Sequence, residues 1–387
     1  MKRAAIVILD GVGIGAAPDA ADYGDLESDT LGNVARACGG LDLPELERLG
    51  LGNIRPLEGV RRRDDVTGAW GRMRPASAGK DSTTGHWEIA GLHLRRPFPT
   101  FPEGFPGELI ERFARETGRR VIGNVVGSGT AVIDRFAEEH RKTRNWIVYT
   151  SADSVFQIAA HEQVIPLEDL YRACAIARKI LVPPHDVSRV IARPFVGRPG
   201  AYQRTSNRRD YSIEPPAETL LDALATAGIP PAGVGKVDDL FAGRSIDAHH
   251  SASNAEGIRG IKDWLSAGES GFLFANLVDF DQLYGHRNDV AGFYGALREF
   301  DAALPSITSR LKEDDLLFIT ADHGNDPTTP TTDHARERVP LLVAGPRVVP
   351  RDLGERDTFS DLGATVAEWF GLSFRGRGKS FLAELVV

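Results

Sequence analysis

Three apolar runs of the chain each end in side chains that can bind a metal ion. The donors are Asp10 after the first run, Asp281 and His286 after the second, and Asp322, His323 and His334 after the third. Such runs are typical of buried parallel strands, whose carboxyl ends converge at one edge of a sheet. Carboxylate oxygens and imidazole nitrogens together suit divalent ions such as Mn²⁺ or Zn²⁺. The pattern predicts two ions in a shared site that clamps the attacking and leaving oxygens of a phosphoryl transfer.

Taken singly, each of these residues has a more ordinary explanation. Asp10 or Asp322 would serve equally well in a turn or at the start of a helix, and a histidine can simply lie in a core. Asp29, before a helical pattern, is predicted to be such an N-cap. His249 and His250, in a Ser/Asn-rich loop, are not predicted to be ligands. Three strand ends of the same kind favour a metal site over coincidence.

Three consecutive hydroxyls, Ser82-Thr83-Thr84, lie between two glycines and are flanked by Lys80 and His86. A hydroxyl is a weak nucleophile until a metal ion or a base lowers its pKa. The alternative is a helix N-terminus at which the hydroxyls act as caps. On these residues alone, the capping role is favoured.

The composition of the chain changes near residue 95, where a proline-rich stretch begins, and again at Glu214-Pro215-Pro216. We interpret residues 1–94 and 216–387 as a metal-binding catalytic core and residues 95–215 as an inserted second domain.

Several polar residues could recognise a substrate. The polar loop 197–211 is rich in arginines, which either face solvent or bind phosphate through bidentate contacts. Residues 150–154 end a strand with hydroxyls and a carboxylate, which suits a polyhydroxylated ligand. Lys236 follows a short apolar segment, where it is either exposed or able to neutralise a phosphate.

Composition restricts the class of protein. The net charge of -8 over 387 residues argues against a general nucleic-acid binder. Cys38 and Cys174 form no Cys-x-x-Cys pattern, so we expect no disulfide framework and a reducing cytoplasm. The apolar run before Asp10 is too short for a signal peptide or a membrane span. The glycines after Asp10 do not have the spacing of a dinucleotide-binding loop.

Four longer motifs carry a resemblance to a known family. They are Asp10-Gly-Val-Gly, the stretch from Gly79 to Glu88, Asp279 through Arg287, and Thr320 to Thr328 with Asp333-His334. Together they resemble the phosphopentomutase family of the alkaline phosphatase superfamily of metalloenzymes. The likeness extends to Tyr149–Val155, Ala192–Gly197 and Arg204–Tyr211, and so covers essentially the whole chain. The metal motifs specify the superfamily, and the remaining motifs specify the mutase.

The resemblance implies an α/β fold: an alkaline-phosphatase-like core with a mostly parallel sheet flanked by helices, and an inserted smaller α/β cap domain. It implies two Mn²⁺ ions per chain. One would be held by Asp281, His286 and His334, and the other by Asp10, Asp322 and His323. Ser82 would carry the phosphoryl group, although the family generally has threonine there, and its neighbours Thr83 and Thr84 leave the register open. The residues implied for the sugar phosphate are Ser151, Asp153, Val155, Arg189, Arg193, Arg204 and Lys236.

The implied reaction interconverts ribose 1-phosphate and ribose 5-phosphate, and the 2-deoxyribose equivalents, through phosphorylated Ser82 and a 1,5-bisphosphate. The implied activator is glucose 1,6-bisphosphate or ribose 1,5-bisphosphate. Small sugar phosphates of nucleoside catabolism are the expected partners, with no nucleic acid, membrane or obligate protein partner. One alternative is another enzyme of the superfamily: a phosphoglycerate mutase, a phosphatase or a phosphodiesterase. A second is a catalytically inactive regulator that binds metal or sugar phosphate.

Overall fold

The computed structural model describes residues 2–151, 153–268 and 270–386. The strands in these ranges are β1 (Arg3–Leu9), β2 (Ala69–Met73), β3 (Val121–Val126), β4 (Trp146–Thr150), β5 (Val155–His161), β6 (Arg189–Val196), β7 (Gln203–Arg204), β8 (Arg209–Ser212), β9 (Pro231–Val234), β10 (Asp247–His249), β11 (Gly271–Leu277), β12 (Asp315–Thr320), β13 (Val339–Ala344) and β14 (Asp352–Arg356). The helices are α1 (Thr30–Cys38), α2 (Pro44–Leu49), α3 (Leu51–Ile54), α4 (Ser82–Ile89), α5 (Gly107–Thr117), α6 (Gly129–Thr143), α7 (Leu167–Ile180), α8 (Leu220–Thr226), α9 (Val237–Leu240), α10 (Asn254–Ala267), α11 (Val290–Thr308), α12 (Ser360–Trp369) and α13 (Leu382–Leu385). Among the described residues, none of these helices combines the length and the apolar character that crossing a membrane requires.

The chain divides into two compact units. The large unit comprises Met1–Pro97 and Pro215–Val387, and the small unit comprises Phe98–Glu214. Each unit is built around its own sheet, flanked in sequence by helices.

The sheet of the large unit has the strand order β10-β9-β11-β1-β12-β13-β2-β14 over the described residues. The strands from β10 to β12 are parallel, whereas β13 runs antiparallel to both of its neighbours. The prediction of a mostly parallel sheet is therefore confirmed.

The three apolar runs singled out in the sequence become β11, β1 and β12, which are adjacent in that order. Every residue of these strands is buried, which is why the runs are apolar throughout rather than alternating. In register, Leu9 of β1 pairs with Leu277 of β11, and Ile8 pairs with Thr320 of β12. The residues that follow the three strands therefore leave the sheet at the same edge.

The sheet of the small unit has the order β3-β4-β5-β6-β7, and β8 also pairs with β6. Alternate residues of β4 enter different apolar clusters: Trp146 and Val148 pack in one, and Ile147 and Tyr149 in the other. Because side chains alternate across a strand, the two clusters lie on opposite faces of this sheet. The small unit thus has an apolar core of its own.

The polar stretch 197–211, predicted to be a loop, contains β7 and most of β8, so that prediction is wrong. Arg209 and Tyr211 of β8 pair with Ala192 and Val190 of β6. Tyr211 packs against the apolar cluster next to β6, while Arg209 and Asp210 before it are charged. Because these strands are fixed by pairing with β6, their own polar residues carry little signal for them.

The prediction that the Asp29 side chain caps α1 is also wrong. Asp29 stands at the N-cap position of α1, but its side chain makes no capping hydrogen bond. Its carboxylate lies 3.2 Å from Arg36 and 3.0 Å from Arg55 instead. The amide and the hydroxyl of Thr30 donate to Glu337, at 2.9 and 2.6 Å, so a residue remote in sequence caps the helix.

One buried ion pair anchors β1 in the large unit. The Arg3 guanidinium donates to Asp315 Oδ1 at 2.9 Å, pairs with Asp315 Oδ2 and donates to the Leu265 carbonyl at 2.6 Å. Both side chains are 2% exposed or less, so neither charge has water as an alternative partner. Removing the cation would leave the carboxylate buried and uncompensated.

We therefore expect Arg3→Met to lower the free energy of unfolding by about 3–5 kcal/mol. The matched control is Arg259→Met, since Arg259 is 62% exposed and its nearest carboxylate oxygen, on Glu256, is 3.6 Å away. The control should change stability by less than about 1 kcal/mol. Urea denaturation followed by circular dichroism measures both, and equal losses would contradict the assignment.

Candidate metal centre

The six predicted donor residues follow three adjacent strands of the large unit. Asp10 comes directly after β1, and Asp322 and His323 come shortly after β12. Asp281 lies in a single helical turn, residues 280–284, that follows β11. As whole residues, Asp10, Asp281 and Asp322 are all 5% exposed or less. The structure thus gathers three buried carboxylates at one edge of the sheet.

One group of ligand atoms is formed by Asp281, His286 and His334, all within 4.8 Å of one another. Asp281 Oδ2 lies 3.2 Å from His286 Nε2, and Asp281 Oδ1 lies 3.4 Å from His334 Nε2. His286 Nδ1 lies 2.5 Å from the Thr332 carbonyl, which can only accept, so Nδ1 carries the proton in the neutral ring. The Nε2 lone pair then faces a carboxylate oxygen, an arrangement that calls for a cation between them.

A second group is formed by Asp10, Asp281 and His323, again within 4.8 Å. His323 Nε2 lies 3.3 Å from Asp10 Oδ1 and 3.3 Å from Asp322 Oδ2. His323 Nδ1 donates to the Gly324 carbonyl at 3.1 Å, which leaves Nε2 as the acceptor in the neutral ring. The resemblance implies Asp322 as the third member here, whereas the group with ligand atoms within 4.8 Å contains Asp281, so Asp281 belongs to both groups.

The donor set fits metal ions. Within the described residues, Asp10 Oδ1, Asp322 Oδ2 and His334 Nε2 are buried and form no hydrogen bond of standard geometry. Buried polar atoms normally have a partner, because an unsatisfied one costs about 1–3 kcal/mol. A cation would satisfy all three at once. Mixed carboxylate and imidazole donors suit Mn²⁺ or Zn²⁺ better than Mg²⁺ or Ca²⁺.

The electrostatics of the centre also favour a cation. Burial raises the pKa of Asp10, and the charges of Asp322 and Asp281 raise it further. Burial alone would lower the pKa of His286, but the hydrogen bond and charge of Asp281 outweigh it and raise that pKa to about 9. Asp322 and Asp10 likewise outweigh burial and raise the pKa of His323. Without a metal, side chains of the centre therefore bind protons. An incoming cation would compete with these protons for the same atoms.

Of the three consecutive hydroxyls, the Ser82 hydroxyl lies against one of the predicted donors, His323. Ser82 is the first residue of α4, and its Oγ is 3.0 Å from His323 Nε2. The capping function belongs to Asp81, which accepts from the Thr84 amide at 3.1 Å and from the Thr84 hydroxyl at 2.6 Å. The predicted capping role of the hydroxyls is therefore wrong, because the cap is the Asp81 carboxylate; Thr84 only donates to it, and Ser82 faces the centre.

Two asparagines that the sequence reasoning missed hold the carboxylates. Asn276 Nδ2 donates to Asp10 Oδ2 at 2.9 Å, and Asn325 Nδ2 donates to Asp281 Oδ1 at 2.7 Å. Both asparagines are 2% exposed or less. A signal for Asn276 was present, because it is a lone polar residue inside the otherwise apolar run of β11.

A third group, Asp238, Asp239 and His250, is partly exposed. His250, which was not predicted to be a ligand, has its Nε2 2.8 Å from Asp238 Oδ1. An exposed histidine–aspartate pair of this kind is an ordinary surface contact.

In the small unit, four residues expected to bind substrate lie near one end of neighbouring strands. Val155 begins β5 and is paired in register with Arg189 at the start of β6. Ser151 and Asp153 lie just before β5, and the Ser151 hydroxyl donates to Asp153 at 3.3 Å. The structure therefore brings Ser151, Asp153, Val155 and Arg189 to the same region of the small unit.

The remaining arginines form a cationic cluster on β6 and β7. Burial lowers the pKa of Arg193 to about 10, and the charges of Arg208 and Arg204 contribute to this shift. The Arg193 Nε donates to Gln157 at 2.9 Å. Arg208 is paired with Asp210 at 2.7 Å, and a group of arginines close together still suits an anionic ligand. Lys236 belongs to the large unit, where its Nζ donates to Gln282 at 3.1 Å.

Comparison with known proteins identifies relatives of the chain. A sequence model of the Metalloenzyme superfamily matches residues 2–374. The phosphopentomutase of Desulfitobacterium hafniense (strain DSM 10664 / DCB-2) is 55% identical over 388 residues, covering 100% of both chains. The phosphopentomutase of Carboxydothermus hydrogenoformans is 55% identical over 387 residues, again with 100% of both chains covered.

Among solved structures, Leishmania mexicana phosphoglycerate mutase superposes with a TM-score of 0.52 at 12% identity, covering 98% of this chain and 97% of that one. At this identity the likeness shows a shared fold alone. It confirms the expected fold class, an α/β core of the kind found in the alkaline phosphatase superfamily.

Asp10→Asn should stabilise the protein when chelator keeps it free of metal. The substitution removes one of three adjacent buried negative charges, while the amide oxygen can still accept from Asn276. We expect the melting temperature in EDTA to rise by about 2–6 °C. In excess Mn²⁺ the variant should instead melt at a lower temperature than the parent, because it loses a proposed ligand.

The control is Asp315→Asn, which weakens the pair with Arg3 and should lower the melting temperature in both conditions. Differential scanning calorimetry measures all three proteins. If Asp10→Asn melts below the parent in EDTA, repulsion among the three carboxylates is not the dominant effect on the stability of the metal-free centre.

Proposed function

This chain belongs to the phosphopentomutase family of the metalloenzyme superfamily, and on that premise we propose that it interconverts ribose 1-phosphate and ribose 5-phosphate, together with the 2-deoxyribose equivalents. The observation that carries the proposal is the Ser82 hydroxyl, 3.0 Å from His323 Nε2 among buried carboxylates and imidazoles. A hydroxyl at a centre of that kind is suited to exchanging a phosphoryl group. Relatives that match over the full chain favour a pentose phosphate over the substrates of more distant enzymes.

We propose that Asp281, His286 and His334 hold one Mn²⁺ ion, and that Asp10, Asp322 and His323 hold the other. Asp281 contributes to both positions, since it is common to the two groups of ligand atoms. When bound, the ions supply positive charge that lowers the pKa of a hydroxyl and neutralises phosphoryl oxygens.

Ser82 is proposed to carry the phosphoryl group in the resting enzyme. As the sugar oxygen forms its bond to phosphorus, the bond from phosphorus to Ser82 Oγ breaks, which gives a 1,5-bisphosphate. The other phosphate of that intermediate then returns to Ser82, and the isomer leaves. Ser82 is the first residue of α4, so its phosphoryl group lies at the positive end of the helix dipole.

The small unit is proposed to recognise the sugar phosphate. Arg189, Arg193 and Arg204 would bind its distal phosphate, and Ser151, Asp153 and Val155 would contact the sugar. Lys236 of the large unit would supply a further positive charge. Water must be kept from the phosphoryl group during transfer, because attack by water would turn the mutase into a phosphatase.

Three further features complete the proposal. A sugar bisphosphate, either glucose 1,6-bisphosphate or ribose 1,5-bisphosphate, would phosphorylate Ser82 in enzyme that has lost its phosphoryl group. We propose a role in nucleoside catabolism. A cytoplasmic location is consistent with Cys38 and Cys174, both free thiols.

The first test supplies the purified protein with Mn²⁺, trace ribose 1,5-bisphosphate and ribose 5-phosphate, and follows the mixture by phosphorus NMR. We expect ribose 1-phosphate to accumulate to equilibrium with little free phosphate, and EDTA to stop the reaction. Free phosphate without isomer would indicate a phosphatase, and turnover of 3-phosphoglycerate or of a phosphodiester would indicate another superfamily activity. Binding of ribose 5-phosphate without any turnover would indicate an inactive regulator.

The second test addresses the nucleophile. Ser82→Ala should lower kcat by about 10³-fold or more, while Mn²⁺ binding measured by calorimetry is retained. Ser82→Thr restores a hydroxyl and should keep most of the activity. In the parent, peptide mapping should place phosphate on Ser82.

Thr83→Val is the matched control, because Thr83 is buried in the same turn and its replacement keeps the shape of the side chain. It should retain the activity and the phosphopeptide. An active Ser82→Ala variant with phosphate on Thr83 or Thr84 would show that the register of the nucleophile is wrong.

A further inference from the structure

His86 links the turn that carries Ser82 to a proposed metal ligand. It lies one helical turn after Ser82 in α4, and its side chain is fully buried. His86 Nδ1 is 2.9 Å from the Ser82 carbonyl oxygen and 3.1 Å from Asp322 Oδ2. Both neighbours are acceptors, so Nδ1 carries the proton; its N–H donates to the Ser82 carbonyl and lies against the Asp322 carboxylate.

The packing of α4 leaves little freedom around this contact. A Cβ at Gly85 would lie 2.1 Å from the Asp322 carbonyl oxygen, so the helix backbone rests directly on the backbone of Asp322. The Gly11 amide donates to Asp322 Oδ1 at 3.2 Å, while Oδ2 faces His86. The two oxygens of this carboxylate therefore have different neighbours, a hydrogen-bond donor at Oδ1 and the His86 ring at Oδ2.

The other side of the imidazole makes no comparable contact. The ring packs on Phe274 with its centroid 5.3 Å away, and Nε2 is buried without a hydrogen-bond partner. An aromatic hydrocarbon ring would fill the same space without burying an unsatisfied nitrogen. What histidine adds at this position is the Nδ1–H.

We infer that His86 is a positioning residue for the phosphoryl transfer, fixing the Ser82 turn relative to Asp322, because its N–H donates to the Ser82 carbonyl and lies against the Asp322 carboxylate. It does not contact the Ser82 hydroxyl, so it acts through the backbone of Ser82 and the carboxylate of Asp322. The inference rests on the proposed role of Ser82. Because a displacement of about 1 Å between reacting groups can cost about 100-fold in rate, such a contact matters for turnover.

The test compares His86→Phe, which keeps the ring and its packing on Phe274, with His86→Asn, whose amide N–H can replace Nδ1–H. His86→Gln is the matched control, because its amide lies one carbon further out. Mn²⁺ affinity is measured by calorimetry, stability in EDTA by melting temperature, and kcat and KM for ribose 5-phosphate at saturating Mn²⁺.

For His86→Phe we expect the Mn²⁺ dissociation constant to rise about tenfold, because Asp322 loses the N–H that lies against its carboxylate. At saturating Mn²⁺, kcat should still be about 100-fold below the parent, with KM within about threefold and the melting temperature in EDTA not lowered. His86→Asn should recover kcat to within about tenfold, and His86→Gln should not.

Two results would overturn the inference. One is a kcat for His86→Phe within about threefold of the parent at saturating Mn²⁺, and the other is a loss of kcat matched by a fall in melting temperature. If His86→Phe does not fold, the remaining pair decides, since equal activity of His86→Asn and His86→Gln would reject a role for the Nδ1–H. Ser82→Ala reports separately on the proposed function: if that variant stays active, the nucleophile assignment fails, whatever His86 does.

Discussion

The mutual repulsion of three buried carboxylates is the constraint on which the rest of the large unit depends. Asp10, Asp281 and Asp322 are brought together because β11, β1 and β12 are adjacent and parallel. A core that held only these charges would be strongly disfavoured. The imidazoles beside these carboxylates can act either as protonated partners or as ligands to a metal ion. The three fully buried strands beneath provide the stability that tolerates such a cluster.

The centre remains able to bind a cation because each carboxylate is only partly satisfied by protein. Asn276 donates a hydrogen bond to one oxygen of Asp10, and the Gly11 amide donates one to an oxygen of Asp322. The second oxygen of each is left without a hydrogen bond of standard geometry, pointing into a buried space shared with His323. Neutral donors thus orient the carboxylates without cancelling their charge, which is the role usually served by partners behind metal ligands.

The sequence was informative where a local pattern has a single physical meaning. Continuous apolar runs ending in Asp identified the three central strands, since only strands buried on both faces are apolar throughout. Contacts set by tertiary structure could not be predicted in this way. Glu337 caps α1 from some three hundred residues away, and β8 owes its pairing to β6 rather than to its own charged residues. Asn276 was not predicted, because only the carboxylates and imidazoles that follow the apolar run were considered as site residues.

Because Asp281 belongs to both groups of ligand atoms, two ions bound as proposed would depend on each other thermodynamically. An ion beside His286 and His334 would draw on the carboxylate that also faces Asp10 and His323. The affinity of either position would therefore depend on whether the other is filled, and the dependence would be reciprocal. Titration with metal should not resolve into two independent sites, and a change at His286 should be felt at Asp10.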